Sequence, residues 1–181
     1  MESKPTRAEA SAALLDAEAS RAAFAGGIVV PSWFFTSMGA AIAVQTATLA
    51  VGLGAGVIWV LEAGLAVWLA VAGVQLARFR RLNGVWLAGF ASRVVLGCGI
   101  PASVSYTAGL VGALWAAYGD RWWLVGLWSL AGGAAYAFSG RRWMRAYRVD
   151  PERHGRGESA AWLVAIALAA VTGLALLLIN S

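Results

Sequence analysis

The stretch VIWVLEAGLAVWLAVAGVQLARFRR, from Val57 to Arg81, decides the fold. It is apolar for about twenty residues, which is long enough for a helix to cross a hydrocarbon layer of roughly 30 Å. A single acid, Glu62, lies inside it. It ends in three arginines within four residues, and such a cluster predicts that this end of the helix faces the cytoplasm.

The composition agrees with a membrane protein. Of the 181 residues, 60% are hydrophobic and 13% are charged, whereas soluble domains keep about a quarter of their residues charged. The ten tryptophans suit a bilayer, since their amphipathic rings collect at its interfaces. We therefore predict an all-α integral membrane bundle over residues 28–181, preceded by a cytoplasmic surface helix over residues 1–27.

The apolar runs predict five transmembrane helices in the cell membrane, with the N-terminus inside and the C-terminus outside. Their approximate bounds are 31–53, 57–77, 94–118, 122–139 and 160–179. The link Gly52–Gly56 is short enough to require an antiparallel hairpin between the first two helices. Asn83–Gly84 predicts a turn after the second run. Residues 86–90 are apolar but too short to cross, which predicts an interfacial or re-entrant piece. The fifth run has no basic residue after it, so lying flat on the membrane is its alternative.

The distribution of basic residues gives the orientation. With the N-terminus inside, thirteen of the fourteen lysines and arginines face the cytoplasm, and Arg121 alone lies outside. The net charge of +5 therefore reflects topology signals, and we predict no nucleic-acid partner.

The N-terminal segment has a helix-start signature. Thr6 and Glu9 match the capping box, in which each side chain satisfies a backbone N–H near the other residue. Gly26 and Gly27 predict the end of this helix. It is either a membrane-surface or partner-binding helix or a solvated extension. Its acidic residues differ from a cleavable leader, so we expect the first transmembrane helix to act as an uncleaved insertion signal.

Glu62 is the sharpest candidate for chemistry, because an ionised side chain inside a bilayer is costly. It predicts either a proton, cation or amine site or a structural hydrogen bond between helices. With the hairpin turning at Gly54, Gln45 is expected at nearly the same depth as Glu62 and is its expected partner. Adding the hydroxyls of the third and fourth helices gives a candidate ligand pocket. Its members are Glu62, Gln45, Ser105, Tyr106 and Tyr136.

A second candidate site is the basic run that follows the fourth helix. Basic residues near a membrane surface attract anionic lipid headgroups. The residues expected to do so are Arg141, Arg142, Arg145 and Arg148. The same arginines also act as a topology signal, and the two roles are compatible.

Metal, cofactor and catalytic motifs are not predicted. Cys98 is the only cysteine and His154 the only histidine, and His154 lies between arginines in a polar loop. The chain contains no recognisable hydrolase, Walker or dinucleotide-binding motif. We predict no metal and no cofactor.

Three segments carry a family resemblance: VPSWFF from Val30 to Phe35, RFRRLNGVW from Arg78 to Trp86, and GRRWMRAYR from Gly140 to Arg148. Over about residues 20–148 the chain resembles a group of small actinobacterial-type membrane proteins with no assigned activity. The group often has four membrane helices, so a fifth here is a departure. The resemblance implies no catalytic residue.

These observations favour a non-enzymatic membrane protein, acting as an accessory, sensory or small-ligand-binding subunit. It would contact the bilayer and its anionic headgroups, either as a homo-oligomer or within a larger membrane complex. One alternative is a small homo-oligomeric transporter or channel that uses Glu62. Another is a membrane enzyme in which Glu62 is a general acid or base acting on a lipid or isoprenoid.

Overall fold

The computed structural model describes residues 6–84 and 99–150, and these residues form five α-helices and no strand. This confirms the all-α class. The predicted piece at 86–90, the start of the span predicted at 94–118 and the span predicted at 160–179 lie outside the described residues. The helices are α1 (Arg7–Gly27), α2 (Phe34–Gly54), α3 (Ile58–Asn83), α4 (Gly99–Tyr118) and α5 (Trp122–Val149).

Helix α1 begins with the predicted capping box. The backbone N–H of Glu9 donates to Oγ1 of Thr6 at 3.3 Å, and the backbone N–H of Thr6 donates to Oε2 of Glu9 at 2.7 Å. The backbone N–H and the hydroxyl of Thr6 both donate to the Glu9 carboxylate, and because they stabilise its charged form they lower the pKa of Glu9. The side chains described along α1 are exposed, including Leu14 and Leu15, so this helix adds little to the core.

Helix α2 begins three residues later than the predicted span. Trp33 lies in the left-handed region, with φ of 66°, and the N–H of Phe34 donates to the carbonyl of Pro31 at 3.2 Å. Pro31 therefore belongs to a turn before α2 and is not its first helical residue. The prediction of a helix starting at Pro31 is wrong by this one turn.

The hairpin between α2 and α3 turns later than predicted. Gly56 occupies the left-handed region, with φ of 69°, which glycine adopts without strain. The turn extends to Val57, whose N–H donates to the carbonyl of Gly52 at 2.9 Å. Moving the turn from Gly54 to Gly56 shifts the pairing of the two helices by about one helical turn, with consequences for Gln45 and Glu62.

Helices α2, α4 and α5 form the packed centre through backbone contacts at glycines. A Cβ added at Gly39 would lie 2.5 Å from the carbonyl oxygen of Gly133, so α2 and α5 touch backbone to backbone. A Cβ added at Gly109 would lie 2.9 Å from Cα of Gly132, which brings α4 equally close to α5. Small residues permit such crossings and the dispersion contacts that come with them.

Two buried clusters fill this centre. The first, near the start of α2, consists of Phe34, Phe35, Met38, Ile42, Ala72, Ala102, Tyr136, Trp143 and Met144. The second, near the end of α2, consists of Ala50, Leu110, Ala113, Leu114, Ala116, Ala117 and Val125. Among the described residues, helix α3 contributes Ala72 to the first cluster, with Trp68, Val71 and Leu76 packed against it, and it contacts mainly α2. Most of its other described side chains are exposed.

Two of the described helices are long and apolar enough to cross a membrane. These are α2, with a mean hydropathy of 1.5, and α3, with 1.8. Both α4 and α5 fall outside this group. These two apolar helices weakly favour a membrane location, and the topology of five membrane-crossing helices stays a prediction.

The glycine contact between α2 and α5 generates a prediction. Gly39→Ala places a methyl group against the carbonyl of Gly133 and should destabilise the bundle by about 1–3 kcal/mol, the usual cost of overpacking. The measurement is thermal unfolding of the detergent-purified protein, followed by tryptophan fluorescence.

Gly126→Ala is the matched control, because an added Cβ at Gly126 in α5 meets nothing within 4 Å. It should keep or slightly raise the melting temperature, since alanine favours helix over glycine. Equal melting temperatures for the Gly39 and Gly126 variants would contradict a backbone contact at Gly39.

Candidate functional site

The polar side chains of α2 and α4 meet at one hydrogen bond. The Tyr106 hydroxyl donates to Oε1 of Gln45 at 3.2 Å, and both side chains are partly buried. The structure thus brings together two members of the predicted pocket. They lie between α2 and α4, which run side by side.

Glu62 does not join this pair. Three contacts define the α2–α3 register: Gly52 with Leu61, Thr48 with Gly64, and Ser37 with Gln75. In this register Gln45 is opposite Val67, and Glu62 is level with Ala50. The prediction of a Gln45–Glu62 hydrogen bond is therefore wrong, because the hairpin turns at Gly56 and not at Gly54.

Glu62 is exposed and points away from the packed centre. It lies only four residues into α3, which is about 6 Å along the axis from Ile58. It is therefore close to the end of the bundle that carries the α2–α3 turn. Its position suits a carboxyl that reaches the surface at this end better than one held inside a cavity.

The remaining members of the predicted pocket are separate from one another. Oγ of Ser105 donates to the carbonyl of Pro101 at 2.7 Å, one turn back along α4. Tyr136 is 1% exposed and belongs to the first buried cluster, against which Tyr106 also packs. Tyr106 thus contacts Gln45 and packs against the cluster that contains Tyr136, whereas Ser105 hydrogen-bonds within its own helix.

A buried polar pair between α2 and α3 escaped the sequence analysis. Gln75 is 3% exposed, and its Nε2 donates to Oγ of Ser37 at 2.7 Å. Within the described part of the chain, its Oε1 is buried without a hydrogen-bond partner, as are Oγ1 of Thr107 and Oγ of Ser129. The sequence did contain a signal for this pair: Gln75 is a polar residue within an apolar run, about one helical turn before the arginines.

Asn83 closes the other end of the bundle and was predicted only as part of a turn. Its Oδ1 accepts from the Val29 N–H at 2.9 Å, and its Nδ2 donates to the Val29 carbonyl, also at 2.9 Å. Nδ2 also donates to the carbonyl of Phe79 at 2.9 Å. Gly84 then ends α3 in the left-handed region, which confirms the predicted Asn83–Gly84 turn.

The predicted headgroup arginines lie on the last turns of α5. Arg141 donates to Oγ1 of Thr36, and Arg148 donates to the carbonyl of Ile28 at 3.0 Å. Arg141, Arg142, Arg145 and Arg148 are all exposed. Two of the four therefore join α5 to the segment around the start of α2, in addition to any contact with lipid.

Both arginine clusters lie at the same end of the bundle. Asn83 fixes the end of α3 to Val29, and Arg148 fixes the end of α5 to Ile28. Arg121 lies at the opposite end, in the α4–α5 turn, with its guanidinium carbon 5.0 Å from the centre of the Trp115 ring. That turn meets the α2–α3 turn, because an added Cβ at Gly54 would lie 2.9 Å from Cβ of Ala117.

Comparisons with known proteins give no assignment. No protein-family model, no curated protein and no solved structure matches this chain.

The Tyr106–Gln45 hydrogen bond generates a prediction. Tyr106→Phe and Gln45→Leu should each lower stability, and the double variant should lose less than the sum of the two. The coupling energy should be about 0.6–1 kcal/mol, the usual range for hydrogen bonds between membrane helices. Unfolding of the detergent-purified variants measures it.

Tyr118→Phe, at the end of the same helix, is the control and should show no coupling to Gln45→Leu. Strict additivity of Tyr106→Phe and Gln45→Leu would show that the two side chains do not stabilise each other.

Proposed function

We propose that this chain is a multi-pass protein of the cell membrane, with its N-terminus and both arginine clusters in the cytoplasm. We further propose that it acts as a non-enzymatic accessory or small-ligand-binding subunit. The observation that supports the membrane placement most directly is that so little of the apolar helix α3 is buried. Only 17% of its most apolar 18-residue window is buried, against 50% for α2.

An apolar core helix of a soluble protein would show the opposite pattern. On α3 alone, seven large hydrophobic side chains are exposed: Ile58, Trp59, Leu65, Val67, Leu69, Val74 and Leu82. Burying a side chain of this size contributes about 1.5–3 kcal/mol, so leaving the whole set in water would be costly. In lipid the same side chains need no protein cover.

Aromatic side chains at the two ends support the same placement. Trp59, Trp115, Trp122 and Trp123 are exposed at the end that holds Arg121, and Trp123 is 72% exposed. Trp33 is 75% exposed at the arginine-rich end. From Trp33 to Gly54 the axis rises about 32 Å, which matches the roughly 30 Å of a hydrocarbon core.

The orientation is supported by the shared position of the arginine clusters. Because both lie at one end, a bilayer across the bundle leaves them on the same side, as the positive-inside rule requires. The order of apolar and basic runs in the sequence is compatible with both arginine clusters at one end. The contacts of Asn83 and Arg148 support that position independently.

The accessory role is favoured over an enzyme or a transporter by the chemistry of the packed centre. Helices α2 and α4 contain no charged residue, and the charges of α5 begin at Arg141. Glu62 is exposed on α3, away from Gln45 and Tyr106. A transport or acid–base role for Glu62 would therefore need a second protein or a second copy to enclose it.

Cysteine accessibility tests the placement. In a Cys98→Ala background, single cysteines replace Leu82, Val149 and Gly119, which are all exposed. Intact cells treated with a membrane-impermeant maleimide should label the variant at Gly119, in the α4–α5 turn. The variants at Leu82 and Val149 should be labelled only after permeabilisation.

Labelling of Leu82→Cys and Val149→Cys on opposite sides would contradict the proposed bundle in the membrane.

For the non-enzymatic role, the purified protein is incubated with a lipid extract of its host, and mass spectrometry should find the lipids unchanged. Turnover of a lipid or isoprenoid would overturn that part of the proposal while leaving the placement intact.

A further inference from the structure

A groove lies along the outer face of α3 near its arginine-rich end. The described residues that line it are Gly73, Leu76, Ala77, Arg80, Arg81 and Gly84, and its volume is about 600 Å³. These positions recur every three or four residues, so they share one face of the helix. The residues of α3 that are buried against α2 include Ala72, Gln75 and Phe79, which lie on a different face.

The groove has two chemically distinct parts, which follow one another along the axis of α3. Gly73, Leu76 and Ala77 give an apolar part, and Arg80 and Arg81 place two guanidinium groups directly beyond it. The axial rise from Gly73 to Arg81 is about 12 Å, somewhat less than one leaflet of a hydrocarbon core of roughly 30 Å. The apolar part thus extends into the membrane from the level of the headgroups.

Gly73 keeps the apolar part open. An added Cβ there would meet nothing within 4 Å, so the missing side chain leaves free space and no close backbone contact explains the glycine. This contrasts with Gly39 and Gly133, whose missing side chains permit a helix crossing. The open space beside Gly73 leaves room for a chain of methylene groups to lie against the helix.

We propose that this groove binds an anionic phospholipid of the cytoplasmic leaflet. Its phosphate lies against Arg80 and Arg81, and one acyl chain lies along Ala77, Leu76 and Gly73. Guanidinium groups bind phosphate oxygens through paired, charge-assisted hydrogen bonds. The inference rests on the proposed membrane placement, and it adds a specific lipid site on a helix other than α5.

The arginines of α3 also serve as a topology signal, so charge alone does not define the site. Arg78 separates the two explanations, since it belongs to the same cluster and is exposed but does not line the groove. A general topology signal depends on Arg78 as much as on Arg81. A lipid site depends on Arg81 and on the gap at Gly73.

The experiment uses the full chain, purified and freed of lipid, and titrated with phosphatidylglycerol or phosphatidylcholine of identical acyl chains. Native mass spectrometry counts the bound lipids. The wild-type protein should bind phosphatidylglycerol at least about fivefold more tightly. Arg81→Gln should reduce that preference about fivefold, as expected for one basic residue near a membrane surface, and Arg78→Gln should leave it unchanged.

The apolar part is tested by Gly73→Leu, which fills the gap without a clash and should weaken phosphatidylglycerol binding severalfold. Gly126→Leu is the matched control, since Gly126 also has open space around it and lies on α5. A melting temperature equal to that of the wild type establishes that each variant is folded.

Three results would overturn the proposal. These are equal binding of the two lipids, equal losses for Arg78→Gln and Arg81→Gln, or undiminished binding by Gly73→Leu. Competition by millimolar inorganic phosphate with no effect of Gly73→Leu would assign the arginines to a free anion instead. A chain that is monodisperse without detergent and fails to enter lipid nanodiscs would instead refute the membrane placement, so the two failures are distinguishable.

Discussion

Backbone contact between helices is the constraint on which the rest of this structure depends. Gly39 meets Gly133, and Gly109 meets Gly132, so α2, α4 and α5 approach each other more closely than side chains would allow. In the proposed membrane placement, lipid would offer no hydrophobic drive for helices to associate, and close packing of this kind would supply the attraction instead. Because the three helices fill each other's surfaces, α3 is left on the outside with α2 as its main neighbour.

The position of α3 explains how its polar residues are arranged. Where it touches α2, polar groups have partners: Gln75 bonds Ser37, and Asn83 bonds the backbone of Val29. Where it faces outward, the side chains are apolar or small until the arginines begin. Glu62 is the exception, and it lies close to the end of the helix, where a carboxyl reaches the surface at lower cost than it would at mid-membrane.

Much of this architecture could be predicted from local sequence signals. The capping box of Thr6 and Glu9 and the Asn83–Gly84 turn each specify a structure over a few residues, and each appears as expected. The glycine-rich link also predicts the antiparallel hairpin, whose turn lies later than expected. Which residues of two paired helices lie at the same level was harder to predict from the sequence, since it depends on the residue at which the hairpin turns. Because the turn lies two residues later than predicted, Gln45 is not level with Glu62, and its side chain instead accepts a hydrogen bond from Tyr106. The direction of Glu62 was also hidden, because α3 is apolar on nearly every face and offers no stripe to orient it.

The central claim is that the outward face of α3 lies in lipid, and accessibility of spin labels along that face tests it most directly. Nitroxides attached at Ala66 and Ala70, both exposed, are examined by electron paramagnetic resonance in proteoliposomes with oxygen and with a water-soluble nickel complex as relaxing agents. Oxygen concentrates in hydrocarbon and the nickel complex in water. The account predicts strong relaxation by oxygen and almost none by nickel at both positions. Strong relaxation by nickel at Ala66 and Ala70 would place this face in water and contradict the account.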